Sequence, residues 1–189
     1  MSRLIHLNGP PGIGKSTIAR RYVDEHPDVL NCDVDVLRTL IGGWDSDFER
    51  AGALIRPAAL AMIGAYLEHR HDVVLPQMLI NPAELARFEA AATDVGAQFV
   101  ERFLMDTPSG TVARFHRRGG ASNEDPWHDQ VRAIVAARGG DQLLTDCHAA
   151  LERLIPERPD AVVITSTEGE LDATYRAFVD SLDALPRNA

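Results

Sequence analysis

The residues with the clearest chemical potential form a glycine-rich stretch near the N-terminus. Residues 9–16 read Gly-Pro-Pro-Gly-Ile-Gly-Lys-Ser and satisfy G-x-x-x-x-G-K-[ST] in full, a pattern typical of loops that hold nucleotide phosphates. The glycines let successive backbone N–H groups point inward, and the N-terminus of the next helix adds partial positive charge. We expect Lys15 to reach the β- and γ-phosphates and Ser16 to bind Mg²⁺. The predicted nucleotide-binding residues are Gly9, Pro11, Gly12, Ile13, Gly14, Lys15, Ser16 and Thr17.

Two carboxylates and an arginine follow a second predicted strand, over residues 28–33. Ligands of parallel α/β sheets lie outside the carboxyl ends of the strands, so these side chains should face the same site as the loop. We predict that Asp35 takes the proton of an acceptor hydroxyl, that Arg38 holds the acceptor, and that Asp33 contacts the metal. Two alternatives stay open: Asp35 only caps the helix that begins here, and Asp33 is an ordinary strand-end carboxylate.

A cluster of arginines ends another predicted helix, just before two glycines. Arg114, Arg117 and Arg118 are spaced so that they lie on one side of that helix. The polar, glycine-rich segment beyond them predicts a lid, over about residues 114–130, that closes over nucleotide. There the arginines would neutralise charge on the γ-phosphoryl oxygens, and Arg114 is assigned to nucleotide binding. The alternative is that they only complement the dipole of the helix.

The rest of the sequence predicts the elements that position these side chains. The predicted strands cover residues 3–7, 28–33, 71–76, 98–105 and 161–165. Segments with helical spacing of apolar residues lie between them, and Pro57 predicts a kink or a new start within one of these helices. Five short apolar strands that alternate with helices predict an α/β fold: a mainly parallel five-stranded sheet with helices on both faces and a small helical lid.

The composition is that of one globular domain. Of 189 residues, 45% are hydrophobic and 25% charged, so we expect a single domain over residues 1–189. No apolar stretch approaches the length of a membrane span and no signal peptide is recognised, so we predict a cytoplasmic protein with no membrane partner. The 19 basic and 28 acidic residues give a formal charge of −9, which disfavours a broad nucleic-acid surface. Cys32 and Cys147 lack the spacing of a disulfide framework or zinc site.

Four segments resemble the P-loop small-kinase group. They are residues 9–17, residues 31–38, residues 80–82 and residues 114–118. By the order of these motifs the chain is similar to phage-type polynucleotide 5′-kinases, chloramphenicol phosphotransferases and ATP-binding tunicamycin-resistance proteins, over residues 3–170. The similarity to the last group extends to the third strand and to a tryptophan-containing segment at residues 125–128. The resemblance implies a P-loop NTPase fold.

The resemblance also implies roles for individual residues. It makes Asp35 the general base and Arg38 the residue that holds the acceptor's phosphate. It makes Arg118, or its neighbour, the lid arginine that acts in catalysis. ATP or GTP and Mg²⁺ are the implied cofactors.

One departure from the resemblance concerns the metal. Many P-loop enzymes end the third strand with an aspartate that secures the water shell of Mg²⁺, but here Leu75 is followed by Pro76 and Gln77. Metal binding would therefore rest on Ser16 together with Asp33 or Asp35. This departure favours the resistance-type relatives over a polynucleotide kinase.

These observations predict an ATP-dependent phosphotransferase that moves the γ-phosphoryl group to a hydroxyl of a small molecule, such as a nucleoside-like compound or an antibiotic. One alternative is a polynucleotide 5′-hydroxyl kinase, which shares the chemistry but requires local positive potential. Another is a nucleotide-dependent protein that binds a drug without modifying it and so confers antibiotic resistance. The sequence leaves open the acceptor, the choice between ATP and GTP, and the oligomeric state.

Overall fold

A central sheet of five parallel strands organises the fold. The computed structural model describes residues 1–117 and 126–185, with only the backbone for residues 126–128. The strands are β1 (Arg3–Asn8), β2 (Leu30–Asn31), β3 (Val73–Leu75), β4 (Gln98–Met105) and β5 (Val162–Thr165). Their order across the sheet is β2-β3-β1-β4-β5, and every neighbouring pair is parallel. The predicted α/β fold and parallel sheet are therefore confirmed.

Helices cover the sheet and connect its strands, as parallel neighbours require. They are α1 (Lys15–Glu25), α2 (Val34–Arg38), α3 (Phe48–Glu68), α4 (Pro82–Thr93), α5 (Pro108–Arg117), α6 (Pro126–Ala137), α7 (Asp141–Leu154) and α8 (Leu171–Asp183), with a 3₁₀ turn at Ile155–Glu157. Among the residues that the structure describes, no helix is both long enough and apolar enough to cross a bilayer.

The sheet buries apolar side chains on both faces, because successive strand residues point in opposite directions. Leu4 packs on one face, in a cluster that α3, α4 and α7 complete with Ile63, Phe88 and Leu151. Its neighbour Ile5 packs on the other face, in a cluster that α1 and α8 complete with Ile18 and Phe178. Each fully buried Leu, Ile or Phe side chain contributes about 1.5–3 kcal/mol to stability. The two clusters thus fix β1, the strand that leads into the glycine-rich loop, at the centre of the domain.

Two elements differ from the sequence-based expectation. Strand β2 is limited to Leu30–Asn31, because Asp28 adopts a left-handed φ of 66° that interrupts extended backbone. Helix α3 continues through Pro57 instead of restarting there. Proline lacks an N–H group, so the carbonyl of Ala53 loses its helical partner. Both Ala53 and Pro57 are exposed, so water can satisfy that carbonyl and the helix persists.

A buried polar network links β1 and β4 to the segment just after β3. The His6 Nδ1 atom lies 3.1 Å from Glu101 Oε1, and its Nε2 atom lies 2.8 Å from the main-chain oxygen of Gln77, just after β3. Arg158 donates to Glu101 Oε2 at 2.7 Å and to Glu89 Oε2 at 3.0 Å. Burial alone would raise the pKa of Glu101, but hydrogen bonds from His6 and Arg158 outweigh it, so the pKa lies below its ordinary value.

The substitution Glu101→Gln should destabilise the fold in a pH-dependent way. Because the folded-state pKa of Glu101 is depressed, its stabilisation is fully present above the unfolded-state value, about 4.3, and is lost as the pH falls through the folded-state value. At neutral pH we expect the free energy of unfolding to drop by about 1–3 kcal/mol. The difference from wild type should shrink below about pH 4.

Urea denaturation of both proteins at neutral and acid pH measures this effect. Glu157→Gln, at an exposed position, is the matched control and should leave the free energy of unfolding unchanged. A loss of stability that is the same at every pH would contradict the role assigned to the Glu101 charge.

Candidate active site

Asn8, the last residue of β1, fixes the start of the P-loop (residues 9–16). Its Oδ1 atom accepts hydrogen bonds from the N–H groups of Gly9 (2.9 Å) and Leu79 (3.1 Å), and its Nδ2 donates to the Leu79 carbonyl (2.9 Å). Leu79 lies in the segment between β3 and α4, so one buried side chain ties that segment to the P-loop. Sequence analysis missed Asn8, although its position directly before the loop was a usable signal.

At two positions the P-loop passes so close to neighbouring backbone that only glycine fits. Gly9 has φ 149°, and a Cβ there would lie 2.5 Å from the carbonyl oxygen of Leu104 in β4. Gly12 has φ 82°, and a Cβ there would lie 3.1 Å from the Cα atom of Phe115 in α5. The loop is therefore confined between β4 and the backbone of α5.

Lys15 begins α1, and its side chain folds back over the P-loop. Its Nζ atom donates to the carbonyls of Gly9 (2.8 Å) and Pro10 (3.0 Å). The ammonium group and the helix N-terminus, two sources of positive charge, thus lie together where the loop curls. This is the arrangement that a bound phosphate requires.

A cleft of about 490 Å³ opens beside the loop. Of the predicted nucleotide contacts, Pro11, Gly12, Gly14, Lys15, Ser16 and Thr17 line it. Ile13 is buried, and neither Ile13 nor Gly9 is among the described residues of the lining. Asp33 and Asp35 line the same cleft, so the structure brings the predicted carboxylates to the predicted phosphate site. Their roles in binding and catalysis stay predictions.

Asp33, and not Asp35, caps helix α2. The Asp33 Oδ1 atom accepts hydrogen bonds from the N–H groups of Asp35 (3.1 Å) and Val36 (3.4 Å). The idea that Asp35 merely caps this helix is therefore wrong. Asp35 lies in the first turn, where its own side chain is released from capping and can face the cleft.

Asp35 is held in a crowded electrostatic environment. Burial in the cleft is the largest influence and raises the pKa of its carboxyl group. Arg38, whose Nη2 atom lies 3.4 Å from Asp35 Oδ1, opposes that shift. The neighbouring charge of Asp33 raises the pKa further, and Lys15 lowers it. The net result is a raised pKa, which suits a group that must accept a proton near neutral pH.

Arg38 occupies an unexpected position. Only 3% of its side chain is exposed, and it is not among the described residues that line the cleft. Its guanidinium instead lies beneath α3. This placement differs from the acceptor contact that the resemblance implies.

The predicted lid arginines have separate partners. Arg114 donates to the carbonyl of Ile13 at 2.8 Å and also bonds the Ser166 carbonyl, so it joins the P-loop to the segment after β5. Arg117 forms an ion pair with Glu168 at the surface. Arg118, predicted to be catalytic, lies outside the described residues, as do the side chains of the tryptophan-containing segment.

Helix α6 crosses from α5 and α7 to the start of α3 and closes one side of the cleft. Val131 and Arg132 line the cleft from this helix. Gln130 Nε2 donates to the carbonyl of Asp45 at 2.6 Å, and Arg138 forms an ion pair with Glu49. The described part of the predicted lid, residues 114–130, thus overlaps α5 and α6.

The donor set of the cleft fits Mg²⁺. Ser16 and Asp33 both line it, and a hydroxyl with a carboxylate is the hard oxygen chemistry that this ion prefers. Gln77 is not among the described lining residues. Among the side chains that the structure describes, no group of three or more acidic, histidine or cysteine residues is placed to hold a metal by itself. A bound ion would therefore depend on nucleotide phosphates for its remaining ligands.

Comparison with known proteins agrees with the P-loop kinase resemblance. The family model described as an AAA domain matches residues 4–138, which is 135 of the 189 residues. A gluconokinase from Sinorhizobium meliloti has a similar structure, with 18% identity, a TM-score of 0.64, and coverage of 95% of this chain and 91% of that chain. A candidate kinase from Chloroflexus aurantiacus has 15% identity, a TM-score of 0.63 and 97% coverage of both chains. No curated protein matches the sequence. At these identities the structural similarity establishes the fold.

Gly12→Ala should test the confinement of the loop. An alanine there must adopt a left-handed φ and approach the backbone of Phe115, which cannot yield like a flexible side chain. We expect a loss of about 1–3 kcal/mol in the free energy of unfolding, with weaker binding of a non-hydrolysable ATP analogue. Gly42→Ala is the control, because a Cβ at Gly42 meets nothing within 4 Å. Equal stability of Gly12→Ala and wild type in urea denaturation would contradict this account.

Proposed function

The chain belongs to the family described as an AAA domain, and from that premise we propose that it is an ATP-dependent phosphotransferase that moves the γ-phosphoryl group to a hydroxyl of a small molecule. The observation that carries the proposal is the shared cleft. Lys15 and Ser16 of the P-loop line it together with Asp35. A phosphate site and a carboxylate of raised pKa therefore face one space, which is what in-line transfer to a hydroxyl requires.

The P-loop residues would bind and orient the nucleotide. Backbone N–H groups at residues 12–16 and the Lys15 ammonium supply fixed positive charge for the β- and γ-phosphates. Ser16 and Asp33 would hold Mg²⁺, which, when bound, neutralises charge on the transferring group. Arg114 lies beside the P-loop, with an Nη2 atom 3.6 Å from the position of a Cβ on Gly14. We assign Arg114 to the nucleotide site. The nucleotide is ATP or GTP.

Asp35 would act on the acceptor. Its side chain keeps 34% of its surface exposed, so an acceptor hydroxyl can reach a carboxylate oxygen. That oxygen accepts the hydroxyl proton as the acceptor oxygen forms its bond to the γ-phosphorus, and the bond to the leaving β–γ bridging oxygen breaks. The proton thus stays on Asp35 Oδ until it exchanges with water.

The dimensions of the site favour a small acceptor. The cleft holds about 490 Å³, which the nucleotide phosphates share with the acceptor, and α6 bounds one side of it. One structurally similar protein is named a gluconokinase, which supports an acceptor of small-molecule size. A panel of nucleosides, antibiotics and 5′-hydroxyl oligonucleotides, incubated with γ-labelled ATP, identifies the acceptor class. Labelled oligonucleotide alone would favour the polynucleotide kinase instead.

Lys15 offers a direct test of nucleotide binding, because it is the only lysine in the chain. An amine reagent such as trinitrobenzenesulfonate should modify Lys15, and ATP with Mg²⁺ should protect it. Lys15→Ala should abolish nucleotide-dependent activity without unfolding the protein, because the ammonium contacts loop carbonyls and not the apolar core. Lys15→Arg is the charge-matched control. Full modification of Lys15 at saturating ATP, or full turnover in Lys15→Ala, would contradict the assignment of Lys15 to nucleotide binding.

Asp35→Asn separates an enzyme from a nucleotide-dependent binding protein. The change removes the proton acceptor but not the helix cap, which Asp33 supplies. Turnover should fall by about 10²–10⁴-fold while ATP affinity stays nearly unchanged. Turnover and ATP affinity are measured side by side on both proteins. Asp47→Asn, at the exposed cap of α3, is the control. Full turnover in Asp35→Asn would remove this residue from the mechanism, and no product from any acceptor would favour the non-catalytic drug-binding alternative.

A further inference from the structure

The guanidinium of Arg38 is enclosed between two parts of α3. Its Cζ atom lies 3.7 Å from the centroid of the Phe48 ring, which it faces. One turn further along α3, a Cβ on Gly52 would lie 3.1 Å from Arg38 Nη2 and 3.3 Å from its Cζ. The absence of a side chain at Gly52 is what allows α3 to approach so closely. Ring and glycine backbone together leave 3% of the arginine side chain exposed.

Arg38 also contacts Asp35, and Asp35 is the more exposed of the two side chains. Arg38 Nη2 lies 3.4 Å from Asp35 Oδ1, and 34% of the Asp35 side chain is exposed compared with 3% for Arg38. An acceptor that enters the cleft therefore meets the carboxylate, with the guanidinium behind it. Because Asp33 anchors the first turn of α2 through its cap, Asp35 is fixed both by its backbone and by its contact with Arg38.

The charges around Arg38 are already balanced within the protein. Arg56 lies close by and pairs with Glu84 on α4, with Nε 2.5 Å from Oε1. Arg38 is also influenced electrostatically by Asp33, Asp35 and Glu84. The guanidinium thus already has carboxylates around it and is covered by α3, so a phosphate placed here would have to compete with Asp35 for a buried cation. A neutral hydroxyl compound meets no such barrier.

From this geometry we propose that Arg38 is a positioning residue: it holds the Asp35 carboxylate toward the acceptor from beneath the cleft, and the acceptor is a hydroxyl compound that binds without a phosphate contact to Arg38. The inference rests on the proposed function for its acceptor. It assigns Arg38 a different role from the acceptor-phosphate contact expected from sequence. Arginine suits this position better than lysine, because a planar guanidinium can stack on an aromatic ring and still direct N–H groups sideways to a carboxylate.

NMR spectroscopy observes the contact directly and needs no activity. In ¹⁵N-labelled protein, loss of a signal in Arg38→Lys assigns the Arg38 Nε–H group. We expect that signal to be protected from exchange, to move in Asp35→Asn, and to stay in place when millimolar inorganic phosphate or thymidine 3′-monophosphate is added. Arg50, exposed on α3, gives the matched control signal through Arg50→Lys. Movement of the Arg38 signal with either phosphate probe overturns the proposal.

Kinetics tests whether Arg38 acts through Asp35. Arg38→Gln should lower kcat and leave the KM for ATP unchanged. The double variant Arg38→Gln/Asp35→Asn should be no slower than Asp35→Asn alone. If Arg38 acts only through the Asp35 carboxylate, its removal has no further effect once that carboxylate is gone. Arg38→Lys should recover only part of kcat, since it restores the charge but not the stacking. Losses that multiply in the double variant contradict the proposal.

A further variant keeps the proposal testable if Arg38→Gln fails to fold. Phe48→Leu retains the arginine and removes the ring on which it lies, so the Arg38 signal should move and kcat should fall with an unchanged KM for ATP. An unchanged signal and unchanged kcat overturn the inference. If the wild-type protein phosphorylates nothing in the acceptor panel, the proposed function fails, whereas the NMR experiment still decides whether Arg38 contacts phosphate or Asp35.

Discussion

The P-loop backbone follows a narrow path, and the geometry of the site follows from it. For its N–H groups to face an anion, the loop must curl within a space bounded by a carbonyl of β4 and the backbone of α5. Gly9 and Gly12 fit that space because they carry no Cβ. Asn8 fixes the entry to the loop, and Arg114 fixes its far side through the Ile13 carbonyl. The loop therefore reaches the cleft with little conformational freedom left to lose when a ligand binds, an arrangement that favours tight binding.

Much of the fold and half of the site could be predicted from the sequence because the signals are local. Apolar runs separated by helical patterns were enough to indicate a parallel sheet, and the spacing of Gly12, Gly14, Lys15 and Ser16 was enough to indicate a phosphate cradle. The position of Asp35 followed from a general rule, that ligands lie at the carboxyl ends of parallel strands. None of these inferences required knowledge of long-range packing.

The remaining features depend on which elements meet in space, and sequence patterns do not encode this directly. Asp33 and Asp35 both have the chemistry of a helix cap, and only the backbone conformation at residue 33 decides between them. The burial of Arg38 depends on Gly52, an inconspicuous helical residue whose importance arises from what packs against it. Pro57 shows the converse. Its local signal indicated a break, but the helix continues because the carbonyl of Ala53, which loses its helical partner, is exposed to water.

The described contacts of α6 have a consequence for how the cleft responds to salt. On one side, Val135 packs with Phe115 of α5 and Leu144 of α7 in a small apolar core. Toward α3, the described contacts include the exposed ion pair between Arg138, which directly follows α6, and Glu49. An exposed ion pair contributes only about 0–1 kcal/mol and is screened by salt, whereas apolar packing is not screened in this way. Ionic strength therefore acts on the α3 side of this wall of the cleft and leaves its apolar side in place.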